Sequence, residues 1–205
     1  MGLISAGTTL LDAGALDSGV STGAMTLIKT ITASNASDIT FVHGTSGVVF
    51  DGTYKEYCFK IINMNPATDN HIFEVGFRDG GSNFDATVTS SAHRAMIHED
   101  GTNATLEYVG NDDLDQSTDY QHIANGVGNL GDESLNGYLC ITDPASTTFV
   151  KHFWARTQFD EASTAQGSVD FYVGGYCNTT TAIDGVQFRM ASGNLDGTIK
   201  LYGIK

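Results

Sequence analysis

Apolar side chains recur at every second residue through most of this chain, a repeat that fits strands with one buried face and not an amphipathic helix. In Tyr57-Cys58-Phe59-Lys60-Ile61 the bulky Tyr57, Phe59 and Ile61 fall on one face and Lys60 on the other. The pattern returns at Phe171 and Val173, at Val186, Phe188 and Met190 against Gln187 and Arg189, and at Ile199 and Leu201 against Lys200. Near the start, Leu27, Lys29 and Ile31 alternate against Thr26, Ile28 and Thr30. Between these runs lie turn-forming clusters: Asp51-Gly52, Asn65 to Asp69, Asp79 to Asn83, Asn111 to Asp113, Asp143 to Ser146, Asn178 to Thr180 and Ser192 to Asn194. Turns at such intervals, with no amphipathic helix, predict an all-β domain: an antiparallel β-sandwich or jelly roll of about ten strands. The two prolines, Pro66 and Pro144, are expected in loops, leaving the ladders uninterrupted. A single helical turn over Leu130 to Ser134 is the most helix the sequence suggests.

A chain of 205 residues suits one large β domain around a single core, and no internal boundary shows after residue 24. Its 24 glycines are roughly 12% against a usual ~7%, as many turns require. Residues 1–24 read differently, as an extended N-terminal arm that precedes a single domain over 25–205. Leu3, Ile4, Leu10, Leu11, Leu16 and Val20 are scattered there among Gly, Ala, Ser and Thr. Fixing such a segment costs roughly 20 to 40 kcal/mol, whereas burying its apolar side chains returns about 10 to 18. The arm therefore orders against the domain or a neighbour, and Leu3, Ile4, Leu10, Leu11 and Leu16 are the residues expected to dock it on a partner.

The net charge is −14, from 24 acidic and 10 basic residues, which excludes nucleic acid as an expected ligand because phosphates need a cationic surface. From Ala95 to Val150 there are ten carboxylates and no Lys or Arg. That stretch is expected to form a solvated face, or else a dock for a basic partner. No run approaches the ~20 apolar residues of a membrane span, and the opening residues lack the basic start of a secretory leader. Gly2 is not followed by the Ser or Thr that myristoylation favours, Ala6 standing there. Three Asn-X-Ser/Thr triplets, at Asn35, Asn103 and Asn178, are taken as coincidental. Cys58, Cys140 and Cys177 are far apart in sequence and are expected to be buried free thiols, which favours an intracellular assembly site.

Catalytic constellations are scarce. His93 and His98, five apart in a strand, point to opposite faces, and His43, His71, His122 and His152 stand alone. Neither a nucleophile elbow nor a phosphate-binding or metalloprotease motif occurs. Glu56, Glu99-Asp100 and Asp132-Glu133 are poor candidates for a glycosidase pair. Asp112, Asp113, Asp115 and Asp119 gather hard oxygen donors that suit calcium, though the loop lacks an EF-hand's glycine and distal glutamate; it is a weak metal candidate. Trp154, the single tryptophan, lies in Phe149-Val-Lys-His-Phe-Trp154, where Phe149 and Phe153 share one face and His152 and Trp154 the other. Core or interface burial of Trp154 is expected over a sugar platform.

Four segments resemble small virion-associated proteins of tailed phages, especially marine ones. They are Ile4 to Asp17 (ISAGTTLLDAGALD), Gly52 to Ile61 (GTYKEYCFKI), Ser146 to Phe153 (STTFVKHF) and the ending Ala191 to Gly203 (ASGNLDGTIKLYG), the last being the most specific. The resemblance implies a lectin-like jelly roll and carries no catalytic residue. It implies a virion structural protein, a capsid decoration (cement) protein attached through protein–protein contacts, without enzymatic activity or cofactor. The alternative is a tail fibre or appendage domain that binds a host receptor or glycan. The absence of a shaft repeat or coiled-coil heptads tilts the expectation toward the head. Expected partners are other capsid or tail proteins and further copies of the chain, a trimer being one such homo-oligomer. A glycan remains open, nucleic acid and membrane are not expected, and assembly is expected in the host cytoplasm.

Overall fold

The structure, a computed structural model, describes residues 23–162 and 166–205, together with the backbones of β1 (Leu3–Ser5), β2 (Thr8–Asp12) and β3 (Ala15–Leu16). Twelve further strands follow: β4 (Met25–Ala36), β5 (Asp38–Val42), β6 (Glu56–Pro66), β7 (His71–Arg78), β8 (Val88–His98), β9 (Ala104–Tyr108), β10 (Gln121–Val127), β11 (Leu135–Thr142), β12 (Lys151–Asp160), β13 (Gly167–Cys177), β14 (Gly185–Met190) and β15 (Leu195–Ile204). No helix occurs among the described residues. The chain is thus all-β, as its periodicity requires.

β4 to β15 form an eight-stranded sheet in the order β4-β15-β6-β11-β12-β13-β8-β9 and a four-stranded sheet in the order β10-β7-β14-β5. Every pairing within them is antiparallel. The strand number exceeds the expected ten. One reason is β9, an edge strand whose residues are exposed or half-buried, so that period two produces no contrast there. Within the arm, β1, β2 and β3 pair antiparallel with one another. The side chains of the expected docking residues Leu3, Ile4, Leu10, Leu11 and Leu16 lie outside the described residues.

The two sheets share one core. Tyr57, Phe59, Ile61, Phe153, Phe171, Val173, Ile199 and Leu201 of the large sheet are buried with Ile39, Phe41, Phe73, Val75, Phe77, Val186 and Phe188 of the small one. Phe59 sits 5.2 Å from Phe41 and 5.2 Å from Phe188, and Phe77 lies 4.8 Å from Phe153, so aromatic rings bridge the layers. The hydroxyl of buried Tyr57 donates to the Asp51 carbonyl at 2.9 Å, which removes the penalty of enclosing it. Lys151 is fully enclosed, and its ammonium donates to the carbonyls of Thr179 (3.0 Å) and Thr181 (2.6 Å), pinning the loop before β14. Desolvation lowers its proton affinity.

Two local expectations change. Leu27 does not share a buried face with Ile31: a register shift between Leu201 and Tyr202 sets Leu27 opposite Tyr202, and it is 52% exposed. Phe149 is 70% exposed because it precedes β12, in a turn where the Ser146 hydroxyl accepts from the Thr148 and Phe149 amides. Gly197, in the ending motif, has φ of 139° at a second irregularity, and a Cβ there would lie 2.9 Å from the Asn63 carbonyl, so this step requires glycine.

The largest correction concerns cysteine. Cys58 and Cys140 are not free thiols but a disulfide, with Cα atoms 4.2 Å apart at a sequence separation of 82. The antiparallel pairing of β6 with β11 places them directly opposite each other, a proximity that wide spacing in the chain conceals. The expectation does hold for Cys177, which is buried and free and whose thiol is pushed up by burial. Removing the bridge as Cys58→Ser/Cys140→Ser is expected to lower stability by about 2 to 4 kcal/mol, read as a lower urea midpoint. Because Trp154 is the direct neighbour of Cys140, reduction is also expected to change its fluorescence while far-ultraviolet circular dichroism keeps its β signature.

Candidate functional site

Outward positions of the large sheet line up across its strands because residues of successive strands face each other in register. One such row runs Lys200 (β15), Lys60 (β6), Tyr138 (β11), Arg156 (β12), Tyr172 (β13), His93 (β8), Tyr108 (β9). At about 4.8 Å per strand it extends for about 29 Å. Five consecutive positions, from Tyr138 to Tyr108, carry a planar phenol, guanidinium or imidazole. The next row contains Tyr202, Cys58, Cys140, Trp154, Gly174 and Ser91. Beyond it, His152 pairs with Tyr176. Five of the eight tyrosines, Tyr108, Tyr138, Tyr172, Tyr176 and Tyr202, therefore occupy one face.

Contacts along this face fix some groups and leave others open. Arg156 makes a bidentate pair with Asp170, at 2.8 Å for both nitrogens. His93 stacks on Tyr172 with centroids 4.9 Å apart, and the Tyr108 hydroxyl donates to Asp113, which raises the phenol's pKa. The Lys60 ammonium stands 4.8 Å from the centre of the Tyr138 ring. Lys60 faces Lys200 directly, and among the described residues neither has a carboxylate within ion-pair distance. Beside Trp154, Gly174 leaves a notch: a Cβ added there would meet only Tyr172, at 3.8 Å. A shallow cavity of about 410 Å³ lies between Tyr138, Arg156, Gln158 and Asp170.

The small sheet presents a different outer face. Its register aligns His122, Glu74, Arg189 and Asp38 across four strands. His122 Nδ1 is 2.8 Å from Asp112 Oδ1, and Nε2 is 3.7 Å from Glu74 Oε2. Arg189 donates to Glu74 at 2.7 Å and lies 3.7 Å from the Tyr120 ring centre, and Asn125 donates to both Asp112 oxygens. Tyr120 fits because Gly76 lies beneath it; a Cβ would come 2.6 Å from the ring. A cavity of about 640 Å³ opens over Glu74, Tyr120, His122 and Arg189. The hydrogen bond to Asp112 holds the His122 proton strongly enough to raise its pKa despite burial, with the Asp112 and Glu74 charges adding to the effect. With Nδ1 bonded to Asp112 and Nε2 near Glu74, this imidazole when protonated acts as a strut between two carboxylates and has no lone pair to offer a substrate.

The sequence-derived candidates separate in space. Asp112 is buried and committed to His122 and Asn125, Asp113 accepts from Tyr108, and Asp119 accepts from Ser117; Asp115 is exposed. Glu56 lies beside Cys58 and Cys140, the one described group with metal-ligand spacing, but those sulfurs are bonded to each other and present no thiolate. Glu133, also buried, accepts from the Leu130 amide at 2.7 Å, while Glu99 and Asp100 sit in an exposed turn. The acidic stretch from Ala95 to Val150 is thus not one solvated face: Asp112 and Glu133 turn inward to serve backbone and side-chain donors. Trp154 is half-buried on the outer face, outside the core between the sheets.

Reasoning from sequence missed both rows. The signal lay in the wet positions of the strands, which hold Lys60, Arg156, Tyr172 and Lys200, but adjacency across strands is needed to join them. In comparison with known proteins, the chain matches no family model, no curated protein and no solved structure.

The His122 cluster sets a pH dependence. Its pKa is raised in the folded state, so the charged imidazole's contribution is fully present below the unfolded value of about 6.5. That contribution is lost as pH rises through the higher folded value. The urea midpoint of the native protein is expected to fall relative to that of His122→Gln as pH is raised from about 6 to 9. Parallel curves for the two proteins would show that the proton contributes nothing.

Proposed function

We propose that this chain is a non-enzymatic structural protein of a phage virion, attached through the outer face of its eight-stranded sheet, and most specifically a capsid decoration protein. One observation carries the reading: a face, continuous over seven strands, on which five tyrosines stand with Trp154 and Arg156. Strands of 8 to 11 residues rise about 3.3 Å per residue, so the face offers on the order of 800 Å², the area one partner contributes to a standard protein–protein interface. Tyr, Trp and Arg are the residues on which such interfaces most depend. Within this reading the two sheets form a lectin-like jelly roll, and the chain assembles as a homo-oligomer with the arm docked on a neighbouring virion protein. The resemblance of the four segments to tailed-phage virion proteins supports the setting.

The disulfide removes one support for assembly in the host cytoplasm, since cysteine bridges persist mainly in oxidising surroundings; a virion exposed outside the cell meets that condition. A second reading, an appendage domain that binds a host receptor or glycan, is favoured by the notch beside Trp154, where glycine leaves an indole and two tyrosines accessible.

Attachment is tested by cosedimentation of the purified protein with particles that lack it, and by microscopy of the decorated particles. Tyr172→Ala is expected to weaken attachment about 30-fold, the effect of removing an interface anchor worth about 2 kcal/mol, while His122→Gln on the other face leaves it unchanged. Equal attachment of both variants would overturn this face as the dock, and turnover of a substrate by the purified protein would overturn the non-enzymatic reading. Deletion of Met1 to Ala24 is expected to reduce attachment or oligomerisation; unchanged behaviour would leave the arm without a role.

A further inference from the structure

We propose that the outer face of the eight-stranded sheet binds an anionic polysaccharide, with a sugar carboxylate between Lys60 and Lys200 and neighbouring rings on Tyr138, Trp154 and Tyr172. This rests on reading that face as the attachment surface and adds to it a ligand of defined chemistry.

The lysine pair carries the argument. Opposed like charges on adjacent strands destabilise a sheet, and this chain has 24 acidic residues but only 10 basic ones. Two cations nevertheless face each other at Lys60 and Lys200, with no carboxylate paired to either among the described residues. Elsewhere in the fold Lys55, Arg78, Arg94, Arg156 and Arg189 each hold a carboxylate, while Lys29 donates to the Ser46 carbonyl and Lys151 to those of Thr179 and Thr181. An anion seated between the two ammonium groups would relieve their repulsion and accept hydrogen bonds from both.

What surrounds the pair suits a sugar chain. Tyr138 lies beside Lys60 in the same row, Tyr172 stands in that row three strands from Lys60, Trp154 is two strands away in the next row, and Gly174 keeps the indole's flank open. Aromatic faces of this kind receive the apolar C–H faces of pyranose rings, and the Thr32 and Thr198 hydroxyls, 3.0 Å apart, lie at the polar border beyond Lys200. Nucleic acid fits less well. Its charges recur every 3.4 Å along a strand, and a chain of net charge −14 would repel them along most of the contact. A uronic- or sialic-type polymer, with at most one carboxylate per sugar, needs only the local pair, since the distant acidic groups are screened over about 8 Å at physiological salt.

The test uses the full chain and titration calorimetry with oligogalacturonate, its methyl ester, a sialylated oligosaccharide and a single-stranded oligonucleotide. Oligogalacturonate or the sialylated sugar is expected to bind, with the methyl ester about tenfold weaker and affinity falling as salt rises. Lys60→Gln/Lys200→Gln is expected to reduce acidic binding to the level of the ester. Tyr172→Ala is expected to weaken acidic and esterified sugars alike, and His122→Gln to change neither; unfolding midpoints confirm that each variant is folded. Equal affinity for acid and ester, indifference to the lysine and tyrosine substitutions, tighter binding of the oligonucleotide, or no binding of either acidic sugar would each overturn the inference. Failure here with particle attachment still lost in Tyr172→Ala leaves a protein dock in place. Glycan binding with attachment unaffected removes the dock and keeps the glycan site.

Discussion

The contact of Phe59 with Phe41 and Phe188 is the constraint on which the rest of the molecule depends, because it holds two sheets of unequal width against each other. Eight strands extend across about 34 Å and four across about 14 Å, so the small sheet covers only part of the large one. The loops close the remainder. Val48, Phe50, Ala86 and Ile183 lie outside the strands, yet all are buried in the core, and Lys151 ties the loop carrying Ile183 to β12 through two carbonyls. The chain thus spends its irregular segments as lids on an exposed sheet margin, which explains why glycine-rich turns alternate with buried apolar residues in the loops.

Where one face is buried and the other wet, the fold was legible. Tyr57, Phe59 and Ile61, then Val186, Phe188 and Met190, then Ile199 and Leu201 all occupy the core face that their alternation implies. Legibility failed where that contrast vanishes or shifts. β9 buries neither face, and the irregularity at Tyr202 rotates Leu27 outward. The disulfide and both polar rows were illegible for one shared reason: each joins residues far apart in sequence, and strand order in a sheet is decided by how the layers pack, not by any local pattern. Asp112 shows the same limit, since its setting among neighbouring aspartates suggests an exposed metal loop whereas its partners, His122 and Asn125, lie on β10.

The two outer faces differ in how completely their polar groups are paired. On the small sheet, Arg189 holds Glu74, His122 lies between Glu74 and Asp112, and Asn125 closes the far side of Asp112. A network satisfied from within strengthens its own members and has little left to give a ligand. On the large sheet, Arg156 and His93 are engaged, while Lys60 and Lys200 have no carboxylate partner among the described residues and several phenols face outward.

That asymmetry bears on what binding would cost. Side chains standing on a paired strand have their backbone positions already fixed by the ladder, and cross-strand contacts such as His93 on Tyr172 and Lys60 on Tyr138 restrict the rotamers of the anchors before any ligand arrives. Ordering of interface side chains is among the main costs of association, so a surface built this way loses little freedom on contact. The disulfide between Cys58 and Cys140 acts in the same direction, because it locks β6 to β11 in the row beside Lys60 and Tyr138. A covalent tie at the middle of the face, rather than at an edge prone to fraying, holds the spacing of its groups constant, which is the property a surface needs when recognition rests on shape and fixed charge.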